Sequence, residues 1–342
     1  MTGAALARLR RARFGRVLAL SAAIGAAYGL ATGERTAPFV NALAGVINGT
    51  VIAAAIAGVE MFALRRRPLR RIAALPFALV LALKTLTYGA ISALVLGAAL
   101  AERLLGEPQD YDLGGLSRTV GFSLLVAALF VIVLQAGGLV GYRTFRSLLL
   151  GHYRMPKVEH RFFLFVDLVG STALAERVGP LAMHRFLSRL FAALAEPIAA
   201  SGGEIYQYVG DEIVITWPRA DGTREAHALR CFFEMRRALS RDEKHWRASF
   251  AALPELRAAL HFGEVVAGEV GEERRAIVFH GDVMNAAARL EQVARERACS
   301  FVASQDALDA LALPAELRVR DLGSVALRGR REPVRAFAVE AT

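Results

Sequence analysis

Four long apolar segments in the first 142 residues constrain the fold of this chain more than any other feature. They cover approximately residues 16–32, 39–64, 72–100 and 120–142. Each is close to or above the ~20 residues that an α-helix needs to cross the hydrocarbon core of a bilayer. Because three apolar segments follow the first one, we interpret it as a retained helix and not as a cleavable signal peptide. The sequence therefore predicts an N-terminal four-helix transmembrane bundle over residues 1–142, in contact with the lipid bilayer.

The distribution of charge predicts how this bundle is oriented. Residues 1–155 contain seventeen Lys or Arg against six Asp or Glu, whereas residues 156–342 contain twenty-five against twenty-six. Nucleic acid is therefore not an expected partner, because its binding needs a basic patch on the soluble domain. Arginines are concentrated in the N-terminal tail, in residues 65–71 and after the fourth segment, and the third connecting loop is acidic. The positive-inside rule then predicts four spans in the plasma (inner) membrane, with both termini in the cytoplasm.

The predicted spans contain two ionisable residues, Glu60 and Lys84, and the sequence does not determine their roles. Glu60 lies near the cytoplasmic end of its span, where it can reach the interface. Lys84 lies deeper and can snorkel, pair within the bundle or take part in sensing. Residues 143–159 follow as a cytoplasmic linker that begins with a short amphipathic helix. This linker is either a coupling element or a plain spacer, and the bundle either senses a signal or only tethers the chain.

The soluble half, residues 160–342, begins with an apolar run that predicts a buried strand. Residues 162–166 are all apolar, and Asp167 follows them directly. Gly170, Ser171 and Thr172 then begin a helical segment. A turn of small residues at a helix N-terminus offers backbone N–H groups and positive potential to a phosphate. Cys231 and Cys299 show no metal-ligand spacing and no disulfide framework, so free thiols in a reducing cytosol are expected.

A predicted hairpin supplies a second carboxylate. Two β-rich runs in residues 204–217 flank the turn signal Gly210-Asp211. If the tip of this hairpin lies beside the end of the first strand, Asp167 and Asp211 face one another. Two such carboxylates repel unless divalent cations lie between them. The pair is thus typical of a two-metal site for phosphoryl transfer.

A predicted helix over residues 281–290 carries a third motif. Asn285 and Arg289 are four residues apart on this helix and therefore share a face. Arg289 can stabilise charge that develops on a pentavalent phosphorus, and Asn285 can orient a sugar. A solvated helix face is the alternative interpretation of this pair alone.

Taken together and in this order, the motifs resemble the catalytic domain of class III adenylate/guanylate cyclases over roughly residues 158–340. The motifs that carry the resemblance are Phe165-Val166-Asp167, Gly170-Ser171-Thr172, Val209-Gly210-Asp211-Glu212, His261-Phe262-Gly263 with Gly268 and Gly271, and Asn285 with Arg289-Leu290. The alternation of strands and helices over residues 161–339 predicts an α+β chain in which a ferredoxin-like α/β sandwich follows the bundle, with helices covering one face of an antiparallel-rich sheet.

The resemblance implies roles for individual residues. Asp167 and Asp211, with the Leu168 carbonyl, would bind two Mg²⁺ or Mn²⁺ ions per active site. The backbone of residues 170–172 would hold the β- and γ-phosphates of a nucleoside triphosphate, and Arg328 would hold the triphosphate tail. Asn285 and Arg289 would act on the transition state from the other chain of a head-to-tail homodimer, so a monomer would be inactive.

Two positions depart from the adenylate cyclase pattern, so the sequence does not determine which nucleotide base the site accepts. Gln207 stands where such enzymes usually have Lys, and Val278 where they have Asp or Thr. The Gln207 amide is both donor and acceptor, whereas Val278 offers only packing. We expect a lyase that makes cAMP from ATP, with GTP or a pyrimidine triphosphate as the alternative. The hairpin lacks the signature of a diguanylate cyclase, and a non-catalytic nucleotide-binding membrane receptor is the other alternative.

Overall fold

A computed structural model describes residues 3–32, 38–59, 75–104, 113–250, 252–273, 275–326 and 333–342. Residues 2–140 and residues 141–342 form two separate compact units.

The described part of the N-terminal unit contains four long helices, each of which overlaps one of the predicted apolar segments. Two described segments, Phe14–Ala31 and Pro38–Gly58, are long and apolar enough to cross a membrane. A third candidate arises only if Leu124–Gly138 and Arg143–Leu149 are counted together as one broken span. The structure thus supports membrane association, and the four-span topology stays a prediction. The helices are α1 (Gly3–Thr32), α2 (Pro38–Gly58), α3 (Phe77–Leu104) and α4 (Leu113–Val140).

Small residues allow α1 and α2 to pack closely. A Cβ added at Gly25 would collide with the Gly45 carbonyl, and one added at Gly29 would collide with the Asn41 carbonyl. Such close backbone approach is how helices associate in membranes, where burial of apolar surface does not drive them together. Lys84 lies half-buried on α3, and Glu60 lies outside the described residues.

The C-terminal unit is built on one mixed sheet with the strand order β2-β3-β1-β4-β6-β8-β7, and β5 pairs with β4. Within the described part of the chain, β4 with β6 is the parallel pair and the other pairs are antiparallel. The predicted antiparallel-rich α+β architecture is confirmed. The strands are β1 (Lys157–Leu168), β2 (Glu204–Val209), β3 (Glu212–Pro218), β4 (Leu256–Val270), β5 (Ala276–His280), β6 (Phe301–Ser304), β7 (Leu317–Val325) and β8 (Val334–Ala341).

Helices cover both faces of this sheet, so the expectation that they cover one face is wrong. Phe162 and Leu164 of β1 pack in a core with α7 (Pro180–Ala200), α9 (His227–Arg241) and α10 (Glu243–Phe250). Phe163 and Phe165 pack on the opposite side against α11 (Asp282–Glu296). A strand that is apolar at every position needs cover on both faces. The helices of this unit are α5 (Tyr142–Leu149), α6 (Ser171–Val178), α7 (Pro180–Ala200), α8 (Arg219–Thr223), α9 (His227–Arg241), α10 (Glu243–Phe250), α11 (Asp282–Glu296) and α12 (Gln305–Asp309).

Candidate active site

The structure brings Asp167 and Asp211 together at one end of the sheet. Strand β3 runs antiparallel to β1 with Val166 opposite Ile213, so the residues just before β3 lie beside the end of β1. Gly210 adopts the left-handed conformation at φ 63°, which glycine tolerates without steric cost. The two-residue turn therefore places Asp211 at the hairpin tip, where its carboxyl group lies close enough to that of Asp167 to raise its pKa.

The carboxyl groups at this end of the sheet destabilise one another's charged forms. Burial, followed by the nearby Asp211, raises the pKa of Asp167 to about 6. Burial and the carboxylates of Glu291, Asp167 and Asp211 raise the pKa of Glu212 to about 7. Such a concentration of negative charge favours a bound cation, which would relieve the repulsion.

The available donors fit a cation that binds together with a nucleotide. Within the described residues, no group of three or more His, Cys, Asp and Glu side chains is arranged to hold a metal. The apolar side chain of Leu168 cannot bind a cation, so its main-chain carbonyl is the one group of this residue that could serve as a ligand. Mg²⁺ is usually held by one or two carboxylates together with substrate phosphates, and not by an all-protein cage. Asp167 and Asp211 match that donor set.

A helix N-terminus follows directly after β1. Gly170 is the N-cap of α6 and has φ 71°, in the left-handed region. The Val169 amide donates to the Glu255 carbonyl at 2.9 Å, which fixes the loop to the start of β4. Ser171 and Thr172 are the first residues of α6, where backbone N–H groups lack partners within the helix. These N–H groups are suited to hold phosphate oxygens.

The predicted transition-state pair lies on α11, away from the carboxylates of the same chain. Asn285 is exposed, and Arg289 lies 3.5 Å from Glu296. Arg295, near the end of α11, contacts Asp167 at 3.2 Å. Since an α-helix rises 1.5 Å per residue, Asn285 and Arg289 lie about 15 Å and about 9 Å along the axis from Arg295. Among the described residues, the ion pair to Asp167 comes from Arg295, whereas Arg289 pairs with Glu296.

The two positions predicted to contact the base come from β2 and β5. Gln207 is exposed on β2 directly after an irregularity in the pairing with β3. Val278 is half-buried on β5, opposite Gly268 of β4. Their neighbours Tyr206 and Phe279 have ring centroids 5.1 Å apart, so both strands reach the same region. Arg328 lies outside the described residues.

Sequence reasoning missed two charged residues beside the carboxylate pair, Glu291 and Arg295, and gave no role to Glu212. Arg295 donates to Glu291 at 3.0 Å and to Asp167 at 3.2 Å. The four-residue spacing of Glu291 and Arg295 on a helix was visible as an ion-pair signal. The contact of Arg295 with Asp167 could not be predicted in this way, because it joins residues 128 positions apart.

A paired-carboxylate end of a mixed sheet, next to a helix N-terminus suited to phosphate, is typical of domains that bind nucleoside triphosphates together with divalent cations. Residues 154–341 match the family described as the adenylate and guanylate cyclase catalytic domain. The chain belongs to this family.

Individual relatives agree with this assignment. The chain is 40% identical over 220 residues to adenylate cyclase 2 of Rhizobium meliloti (strain 1021), a match that covers 64% of this chain and 61% of the relative. It is 29% identical over 184 residues to an adenylate cyclase of Anabaena cylindrica, covering 52% and 36%. The chain thus spans less than two thirds of each relative. A bacterial light-regulated adenylyl cyclase shares the fold, with a TM-score of 0.53 at 20% identity over 63% of this chain and 64% of that one.

Proposed function

We propose that the protein is a membrane-anchored nucleotidyl cyclase that converts ATP to 3′,5′-cyclic AMP and pyrophosphate. The contact between Asp167 and Asp211 at the end of β1 carries this proposal. Family membership and the adenylate cyclases among the relatives support it.

The chemistry follows from the residues around that contact. Asp167 and Asp211 would hold two Mg²⁺ or Mn²⁺ ions, with the Leu168 carbonyl as a further ligand. Such ions supply Lewis-acid activation of the ribose 3′-hydroxyl and offset charge on the leaving pyrophosphate. The N-terminus of α6 binds the β- and γ-phosphates. The 3′-oxygen loses its proton and bonds to the α-phosphorus, while the bond from that phosphorus to the pyrophosphate oxygen breaks.

A homodimer completes the site in this proposal. Arg289 pairs with Glu296 of the same chain at 3.5 Å, and Asn285 lies about 15 Å along α11 from the arginine that contacts Asp167. Both residues are accessible, so a second copy can supply them to the ribose and to the charge on the α-phosphorus. Two chains related by a two-fold axis then form two equivalent sites.

The base specificity is the less constrained part of the proposal. The exposed Gln207 amide can donate to one edge atom of adenine and accept from another. Val278 contributes packing without a polar partner. ATP is favoured by the relatives, and GTP or a pyrimidine triphosphate is the alternative substrate. A non-catalytic receptor is disfavoured, because the chain keeps both carboxylates and both transition-state residues.

Residues 1–142 would anchor the enzyme in the plasma membrane, with both termini in the cytoplasm. Residues 143–159 would join this anchor to the catalytic domain of residues 160–342. The ion pairs of Arg143 on α5 with Glu204 and Asp221, both at 2.9 Å, support a linker that is docked on the catalytic unit.

The proposal is tested by turnover of the detergent-purified full chain. The protein is incubated with Mn²⁺ and each of the four ribonucleoside triphosphates, and the products are separated by chromatography. We expect cyclic AMP as the main product, loss of activity in Asp167→Ala and retained activity in Asp242→Ala. Asp242 is a suitable control because it is an exposed carboxylate that pairs with Arg189 at 2.9 Å, on α7. If no triphosphate yields a cyclic product, the enzyme assignment fails.

A further inference from the structure

An ion pair on α11 reaches into the carboxylate site and is not explained by the mechanism above. A single nitrogen of Arg295, Nη2, lies 3.2 Å from Oδ2 of Asp167 and 3.0 Å from Oε1 of Glu291. The Arg295 side chain is 61% exposed, whereas those of Asp167 and Glu291 are 13% and 8% exposed. The two acids are therefore fixed in the domain, and the guanidinium is the part that can move.

The charge balance around Asp167 gives this guanidinium a function. Asp167, Asp211 and Glu291 are the acids whose charges act on Glu212. Among the described residues, Arg295 is the cation that forms an ion pair with Asp167, while Arg257 of β4 lies opposite Asp167 in the sheet. Without a bound metal, Arg295 therefore compensates part of a strongly negative cluster.

We propose that Arg295 is the resident counter-cation of the metal site: it neutralises Asp167 in the metal-free protein and withdraws to Glu291 when a divalent cation binds. The inference rests on the proposed function, because it takes Asp167 as a metal ligand. A guanidinium and a divalent cation repel each other when they share one carboxylate oxygen. Since Nη2 already contacts both acids, withdrawal breaks only its contact with Asp167 and keeps the contact with Glu291.

Glu291 acts as a positioning residue in this scheme. Glu291 is four residues before Arg295 on α11 and therefore stays next to Arg295 whether or not the guanidinium contacts Asp167. Its buried carboxylate holds Arg295 near the site and away from the metal-binding oxygen. Arg295 and Glu291 should therefore have opposite effects on metal affinity.

The test is a titration of the full chain in detergent with Mn²⁺, without nucleotide, in which free Mn²⁺ is measured by electron paramagnetic resonance. Removing a positive charge about 5 Å from the cation should tighten Mn²⁺ binding about fivefold in Arg295→Gln. Glu291→Gln should weaken binding, because the cluster loses a negative charge and Arg295 loses its alternative partner. Arg295→Lys keeps the charge and should bind Mn²⁺ nearly as the wild type does.

A matched control and a second measurement separate this role from a merely structural one. Arg237→Gln removes an exposed arginine that pairs with Glu234 at 3.0 Å on α9, and it should leave Mn²⁺ affinity unchanged. In EDTA, Arg295→Gln should melt at a lower temperature than the wild type. Saturating Mn²⁺ should remove this difference in melting temperature.

The outcomes distinguish the two proposals. Equal or weaker Mn²⁺ binding by Arg295→Gln would overturn the counter-cation role, provided that Asp167→Asn abolishes binding. If Asp167→Asn instead binds Mn²⁺ like the wild type, the metal site itself is wrongly assigned and the proposed function fails with it.

Discussion

Two inactive variants should restore activity to one another if the active site is shared between chains. Asp167→Ala removes a carboxylate that we propose binds metal, and Arg289→Ala removes a proposed transition-state residue that lies about 9 Å along α11 from the arginine that contacts Asp167. In a mixed dimer, one site combines the intact Asp167 of one chain with the intact Arg289 of the other. The second site of that dimer lacks both residues.

The expected magnitude follows from counting sites. Random association of equal amounts of the two variants makes half of the dimers mixed, and each mixed dimer has one intact site of two. The mixture should therefore recover about a quarter of wild-type activity for a symmetric two-chain enzyme. Each variant alone should be inactive.

The assay uses co-expression with two different affinity tags, sequential purification of the mixed dimers and chromatographic measurement of the cyclic product. Purified mixed dimers should then reach about half of wild-type activity, since one of their two sites is intact. A mixed dimer as inactive as its parents would refute the shared site and place the complete site within one chain.

Two further predictions concern the pH dependence of stability and the selectivity for the nucleotide base. In EDTA, the stability of the catalytic unit should fall as pH rises from about 4 to about 7, because the folded pKa values of Asp167 and Glu212, about 6 and about 7, exceed their ordinary values of 3.8 and 4.5. The folded state then binds more protons than the unfolded state in this window, so raising the pH favours unfolding. Thermal melts should show a melting temperature that decreases as the pH rises, and the decrease should be smaller in Asp167→Asn. Gln207→Lys combined with Val278→Asp should raise the preference for ATP over GTP by about tenfold, because the new donor and acceptor match the adenine edge. The ratio of kcat/KM for the two nucleotides measures this change, and an unchanged ratio would show that these positions do not contact the base.

Much of the local structure could be predicted because it depends on residues that are close in sequence. The apolar run at 162–166 predicts a strand, Gly210-Asp211 predicts a tight turn, and the alanines around Asn285 predict a helix. Each of these elements is present in the structure as β1, the β2–β3 hairpin and α11. The order of the motifs then indicated the family, which the match over residues 154–341 confirms.

Features that depend on tertiary packing were harder to predict. The position of α11 on the second face of the sheet follows from β1 being apolar on both sides, and the expectation of one covered face ignored that signal. The contact of Arg295 with Asp167 depends on where the end of a helix meets the end of a strand. The spacing of residues along the chain does not predict this tertiary contact.

The most direct test of the central claim is mass spectrometry of the products that the full chain makes from ATP in the presence of Mn²⁺. We expect 3′,5′-cyclic AMP and pyrophosphate in equal amounts, and neither product from Asp167→Ala or Asp211→Ala. Wild-type protein that forms no cyclic nucleotide, or an Asp211→Ala variant that turns over at the wild-type rate, would contradict cyclisation at this carboxylate pair.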